Sequence, residues 1–128
     1  MKLLLDTHLL LWAAAGSGLS AKAVDLLEDP ANDLVFSAAS IWEVAIKSAI
    51  GRPDFDLDAG LFRRALLESG YQELAITGAH AAAVAVLPDL HRDPFDRILI
   101  AQAVVEEIAL LTADRAVLAY PGPVVSVL

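Results

Sequence analysis

At 128 residues the chain is sized for one domain, long enough to bury roughly two-thirds of its unfolded surface. The absence of Cys excludes disulfides and thiolate chemistry, and a formal net charge of −8 argues against indiscriminate binding to phosphate backbones. A hydrophobic fraction of 57% with a mean hydropathy of +0.58 predicts an aliphatic-rich core, or apolar surface that a partner covers. The longest apolar runs, Leu3–Leu5 and Leu9–Ala15, are broken by Asp6 and His8 and are too short to span a bilayer. No small-x-small cleavage pattern follows an apolar N-terminal core, so a cytoplasmic protein is expected. No repeat or linker divides the chain, which predicts one domain over 1–128.

Lys2-Leu3-Leu4-Leu5 is a short, wholly apolar run of the kind that forms a buried parallel strand, and Asp6 stands at its C-terminal end. Asp6 is placed to cap the helical segment that ends near Ala15. His8 has no companion at metal-ligand spacing. Ser20 opens a second helix through Leu27, which Pro30 and Asn32 close. Leu34-Val35-Phe36 is a second strand, and Ser37 can cap a helix over 38–50 that Gly51 ends. Strand, crossover helix and strand in this order predict a parallel sheet.

Glu43 lies inside that third helix. Ser40 and Glu43 have the spacing of a capping box, and Glu43 with Lys47 the spacing of an i, i+4 pair. Its neighbours Ile41, Trp42, Val44, Ala45 and Ile46 are apolar nearly all round, which predicts a largely buried helix whose Glu needs a cation or a hydrogen-bonding partner.

A loop follows, and Asp56 or Asp58 caps a helix over 59–69 stopped by Gly70; Arg63 and Arg64 on it form a solvated face. Glu73–Ile76 is a weak strand. Thr77 caps a helix over 78–87 with Pro88 as its stop, and no partner can be named for His80. Ile108–Leu111 is a central strand, with Asp114 just beyond its end as Asp6 is beyond the first. Tyr120–Pro123 is a turn, and 124–128 a last strand at an edge.

Between them runs His91-Arg-Asp-Pro-Phe-Asp-Arg-Ile-Leu-Ile-Ala-Gln-Ala103. Pro94 suits the first helical position, which makes Asp93 the N-cap and Asp96 the third residue of a helix. Acids there complement the free N–H groups and the macrodipole for about 0.3–1 kcal/mol each, so capping alone accounts for them unless other acids arrive at the same place.

Four acids stand at strand ends or in the first turns of apolar helices: Asp6, Glu43, Asp96 and Asp114. If the strands beside them are parallel neighbours, their C-terminal ends open on a shared crevice. Oxygen ligands without Cys or paired His suit Mg²⁺ or Mn²⁺ better than zinc. Carboxylate-bound metals of this kind supply a hydroxide at neutral pH and neutralise phosphoryl charge, which is what phosphodiester hydrolysis needs.

Asp6-Thr-His-Leu-Leu-Leu-Trp12, Ser37-Ala-Ala-Ser-Ile-Trp-Glu43, Asp93-Pro-Phe-Asp-Arg-Ile-Leu-Ile-Ala-Gln-Ala103 and Leu111-Thr-Ala-Asp-Arg115 resemble the four motif regions of PIN-domain ribonucleases. More narrowly, they resemble the VapC-type toxins of bacterial toxin–antitoxin pairs. The resemblance spans almost the whole chain in order and spacing. It implies a Rossmann-like, three-layer α/β/α fold with a mainly parallel sheet and an acidic metal pocket that cuts RNA. Asp6, Glu43, Asp96 and Asp114 match the acids that hold one or two Mg²⁺ (or Mn²⁺) ions. Thr112 matches a hydroxyl that orients a ligand or water, while Asp93 has no fixed role beyond a cap or an outer position. A small cognate antitoxin as inhibitor and a homodimer are implied as well.

An RNA substrate must then approach an acidic protein. Lys47, Arg52, Arg92, Arg97 and Arg115 lie in or beside the four motifs and predict a locally basic rim. The competing reading is an interaction protein of the same fold, non-catalytic, whose acids are caps and surface charges. An aspartyl phosphatase wants a second Asp where His8 stands, and a receiver domain wants paired acids near the first strand's end and a lysine after the last strand; neither pattern is present.

Overall fold

The computed structural model describes residues 1–128, and the sheet is its spine. Five strands, β1 (Lys2–Leu5), β2 (Asp33–Ser37), β3 (Gln72–Leu74), β4 (Ala109–Thr112) and β5 (Val124–Ser126), lie in the order β3-β2-β1-β4-β5, every pair parallel. Parallel strands need crossovers, and these are supplied by α1 (Thr7–Ala15), α2 (Ala21–Glu28), α3 (Ala38–Ala49), α4 (Ala59–Glu68), α5 (Gly78–Ala83), α6 (Pro94–Glu106) and α7 (Arg115–Leu118).

Pleat alternation sorts the apolar strands into two cores. Leu3, Leu5, Phe36 and Leu111 face one way and pack with Leu9 and Leu10 of α1 and Phe62 and Leu66 of α4; Leu4, Val35 and Leu110 face the other and pack with Leu99, Ile100 and Ala103 of α6. The result is the expected Rossmann-like three-layer α/β/α arrangement. Five N-caps fall where the sequence puts them: Asp6, Ser20, Ser37, Thr77 and Asp93. Asp58, not Asp56, caps α4. No helix is long and apolar enough to cross a membrane.

Several expectations are corrected. The helix over 78–87 is two pieces, α5 and a 3-10 turn Val84–Val86, because Pro88 forces Leu87 into extended backbone (φ −70°, ψ 143°). β3 comprises Gln72–Leu74, the residues in register with Val35–Ser37, and releases Ala75 and Ile76 so that Thr77 can cap α5. The four-residue α7 was too short to leave a periodic signal. The third helix is not buried all round: Trp42 is 60% exposed and Ile50 70%, with Ile46 also exposed, at i, i+4 and i+8 along one outer stripe. Ser40 forms no capping box with Glu43; its hydroxyl instead meets Thr7 Oγ1 at 2.9 Å in the interior.

Candidate metal centre

Strand order reverses at β1: the chain goes from β1 outward to β2 and β3, then returns to β4 on the other side. The crevice beyond the carboxyl ends of β1 and β4 is the place such sheets bind ligands. Asp6 stands there, its N–H bonded to Leu111 O at 3.1 Å. As N-cap of α1 it accepts from Leu9 N–H through Oδ1 at 2.9 Å, and Thr112 Oγ1 donates to its Oδ2. The same Thr112 oxygen accepts from the Asp114 N–H at 2.9 Å, and Asp114 caps α7 by accepting from Ala116 N–H. The threonine thus ties the first acid to the fourth. Burial pushes the Asp6 carboxyl above its ordinary range, the Asp114 charge adds to the rise, and the two hydrogen bonds it accepts oppose it.

Thr7, next to Asp6, reaches Ser40 in the first turn of α3, and Glu43 follows one turn later. Glu43 is 2% exposed. Its Oε2 pairs with Lys47 Nζ at 2.5 Å, but its Oε1 is buried with no hydrogen-bond partner. Such an atom is costly to keep unless something positive occupies the space beside it.

Asp96, at the third position of α6, lies close enough to feel Glu43. Its carboxyl is pushed up to about 6, first by burial, then by the charges of Asp93 and Glu43; a hydrogen bond from His91 opposes the shift. His91 Nε2 is 2.8 Å from Asp96 Oδ2. Asp93 accepts from Phe95 N–H through Oδ1 at 2.9 Å, as the N-cap it was expected to be.

The four sequence-predicted acids therefore lie along one edge, as two linked halves. Asp6 and Asp114 form one through Thr112; Glu43 and Asp96 form the other. Asp114 remains exposed while Asp6 and Glu43 are buried. The tightest convergence of ligand atoms is not the four acids but His91, Asp93 and Asp96, all within 4.8 Å of one another. The sequence reading assigned His91 no role, although a His two residues before the cap and five before Asp96 is a readable signal at a helix start. The donor set, carboxylates with one imidazole, fits a divalent cation, and the partnerless Glu43 oxygen is the structural sign that one belongs there.

The basic rim changes. The Arg97 guanidinium is engaged within the fold: it donates to Tyr120 Oη at 2.9 Å, to Pro88 O at 3.0 Å, to Val84 O at 3.1 Å and to His91 O at 3.4 Å, which makes it a clamp on the loop before α6. Lys47 is neutralised by Glu43, and Arg52 pairs with Asp54 at 3.4 Å. Arg92 and Arg115 stay exposed and form no ion pair. Arg63, on the solvated face of α4, pairs with Glu73 at 2.6 Å. His80 does have a partner: it is wholly buried, accepts from Thr77 N–H through Nδ1, and meets Glu106 at 2.8 Å.

A parallel α/β/α domain with acids along the carboxyl edge of its central strands defines a Rossmann-like class of fold. Within it, the PIN domain family profile matches residues 3–122, and the chain belongs to that family. A search of curated protein sequences gives no match. Among solved structures, the chain resembles one in VapBC2 from Rickettsia felis bound to a promoter DNA fragment (TM-score 0.74, 15% identity, 98% of each chain covered). It also resembles chains in a toxin–antitoxin complex from Klebsiella pneumoniae (TM-score 0.66, 23% identity, 98% of this chain and 97% of that one) and in VapBC-1 from nontypeable Haemophilus influenzae (TM-score 0.65, 16% identity, 99% and 98%).

Proposed function

We propose that this PIN domain is a VapC-like endoribonuclease toxin that hydrolyses RNA phosphodiester bonds with Mg²⁺ or Mn²⁺ and is held inactive by a small antitoxin. The observation that carries the reading is the buried, partnerless Glu43 oxygen beside an Asp96 whose carboxyl is pushed up to about 6. Buried acids in mutual repulsion are unfavourable alone and favourable around a cation. Asp6 with Asp114, and Glu43 with Asp96, would hold one or two divalent ions, which would acidify a bound water and neutralise charge on the phosphoryl group.

The chain's own groups do the rest. Thr112 and the Leu9 N–H fix both oxygens of Asp6, so its carboxylate has one orientation. Lys47 fixes one oxygen of Glu43 and leaves the other free. Arg115 and Arg92, exposed at the two ends of the acidic edge, offer charge to a polyanion that the net −8 otherwise repels. The antitoxin is supported by the likeness to chains from toxin–antitoxin complexes, and the exposed apolar stripe of α3 offers a surface for a homodimer.

The test is cleavage of total RNA by purified protein with Mg²⁺, Mn²⁺ or EDTA. Activity is expected to need the ion and to drop in Asp6→Asn and Asp96→Asn by on the order of 10²–10³-fold, the several kcal/mol a metal contributes. Asn caps a helix nearly as well as Asp, so Asp6→Asn keeps the fold. A protein that binds the ion yet leaves RNA intact would instead be the non-catalytic interaction module of the same fold.

A further inference from the structure

The geometry points to a mixed nitrogen-and-oxygen cation site at the start of α6: we propose that His91 Nε2, Asp93 and Asp96, with Glu43 as fourth donor, hold one divalent ion and favour Mn²⁺ over Mg²⁺. The proposal rests on the reading of this edge as a cation site, but it does not require that RNA be the substrate.

Three observations lead there. The ligand atoms of His91, Asp93 and Asp96 already lie within 4.8 Å of one another, a spread one ion can bridge without movement of the backbone. Asp93 spends only Oδ1 on its cap and Asp96 only Oδ2 on His91, so each has an oxygen in hand. The second, independent sign is Glu43, whose Oε1 is buried and unpartnered. Glu43 lies outside that 4.8 Å group but near enough for its charge to act on the Asp96 carboxyl, and helix α3, which carries it, packs on α6 here with the Trp42 and Phe95 rings 5.2 Å apart, so Glu43 borders the same space.

His91 is also held as a ligand needs to be. Its N–H donates to Tyr120 Oη at 2.9 Å, its carbonyl accepts from the same hydroxyl at 3.2 Å, and Arg97 donates to both that carbonyl and Tyr120 Oη. Tyr120 is itself buried. A hydrogen bond to Asp96 alone would not require the loop backbone to be bracketed from both sides. Donor chemistry then sets the ion: Mg²⁺ favours oxygen and keeps its waters, whereas an imidazole nitrogen shifts preference toward transition ions.

The experiment is pulsed electron paramagnetic resonance of bound Mn²⁺, with Mn²⁺ and Mg²⁺ affinities measured calorimetrically and no RNA present. Wild type is expected to show ¹⁴N modulation from a histidine ligand and to bind Mn²⁺ at least tenfold more tightly than Mg²⁺. His91→Ala and His91→Gln should lose the modulation and about tenfold in Mn²⁺ affinity, with Mg²⁺ affinity changed less than twofold. Asp6→Asn, which lacks the other half's acid, should keep the modulation. No Mn²⁺ binding, bound Mn²⁺ without ¹⁴N modulation in wild type, or modulation that survives in a folded His91→Gln (which would assign it to His8) overturns the proposal. Bound Mn²⁺ without a His91 signal leaves the nuclease reading standing on its acids, failure to bind either Mn²⁺ or Mg²⁺ overturns both, and modulation present with RNA uncut overturns the nuclease reading and keeps the site.

Discussion

Asp96 shows how one residue's environment converts into a measurable dependence on pH. Its carboxyl, ordinarily near 3.8, is raised to about 6 by burial and by the neighbouring Asp93 and Glu43 charges. A raised carboxyl favours the folded state in its protonated form, so the contribution is fully present below 3.8 and is lost as pH climbs through about 6. Asp6, also raised by burial, contributes with the same sign. The metal-free wild type should therefore lose melting temperature relative to Asp96→Asn as pH rises from about 4 to above 6, because the amide has no charge to acquire. Saturating Mn²⁺ or Mg²⁺ should reverse that trend, since the ion binds the ionised carboxylates and stabilises by about 2.7 kcal/mol at a hundredfold excess over its Kd. Thermal denaturation across pH, with and without metal, reads both; parallel curves for wild type and variant would show that Asp96 is not perturbed.

At the scale of elements, α6 is fixed at its two ends by opposite kinds of residue. Its entry is clamped by Arg97, whose guanidinium gathers Val84, Pro88, His91 and Tyr120 around the loop that carries His91 and Asp93. Arg97→Met keeps the stem but abandons those carbonyls and the Tyr120 hydroxyl, and should cost about 2–4 kcal/mol in urea denaturation. A loss below about 0.5 kcal/mol would return Arg97 to the role of a surface charge. At the exit, Glu107 adopts φ +56°, a left-handed cap that favours Gly, and it sets an acid against the negative end of the helix dipole. Glu107→Gly should raise stability by about 1 kcal/mol in the same assay. Strand and cap residues such as Leu3–Leu5, Ser37 and Asp93 were legible in the sequence because apolar runs and Ser/Asp before helices encode local rules. Arg97 was not: a cation beside the acidic motifs suggests a rim, and only the folded loop reveals four oxygens within its reach. His91 was legible only as a spacing of five residues before Asp96, and only the folded loop shows the two side chains meeting.

At the scale of the whole molecule, a hydrophobic fraction of 57% left two alternatives, and the structure shows a filled core together with exposed apolar surface. The two cores on either face of the sheet absorb most of the aliphatics, yet Trp42, Ile46 and Ile50 line up on the outside of α3. Apolar residues all round Glu43 predict a buried helix, and periodicity cannot say which side of an apolar helix meets the core and which stays outside. An apolar groove of about 450 Å³ continues from Trp42 past Ile98, Val84 and Ile76, with Arg92 and Arg97 along it, which extends the stripe toward the area a stable interface needs, roughly 800 Å² per partner. A large aromatic at the centre of such a patch is where binding energy concentrates. Trp42→Arg places a charge there without touching Glu43, which points inward one residue later. The variant is expected to run as a monomer in size-exclusion chromatography with light scattering at concentrations where wild type dimerises, with its circular dichroism unchanged. If the variant dimerises equally well, the homodimer implied by the toxin likeness forms through another face; if the wild type is itself monomeric, no homodimer forms and this face does not join two copies of the chain.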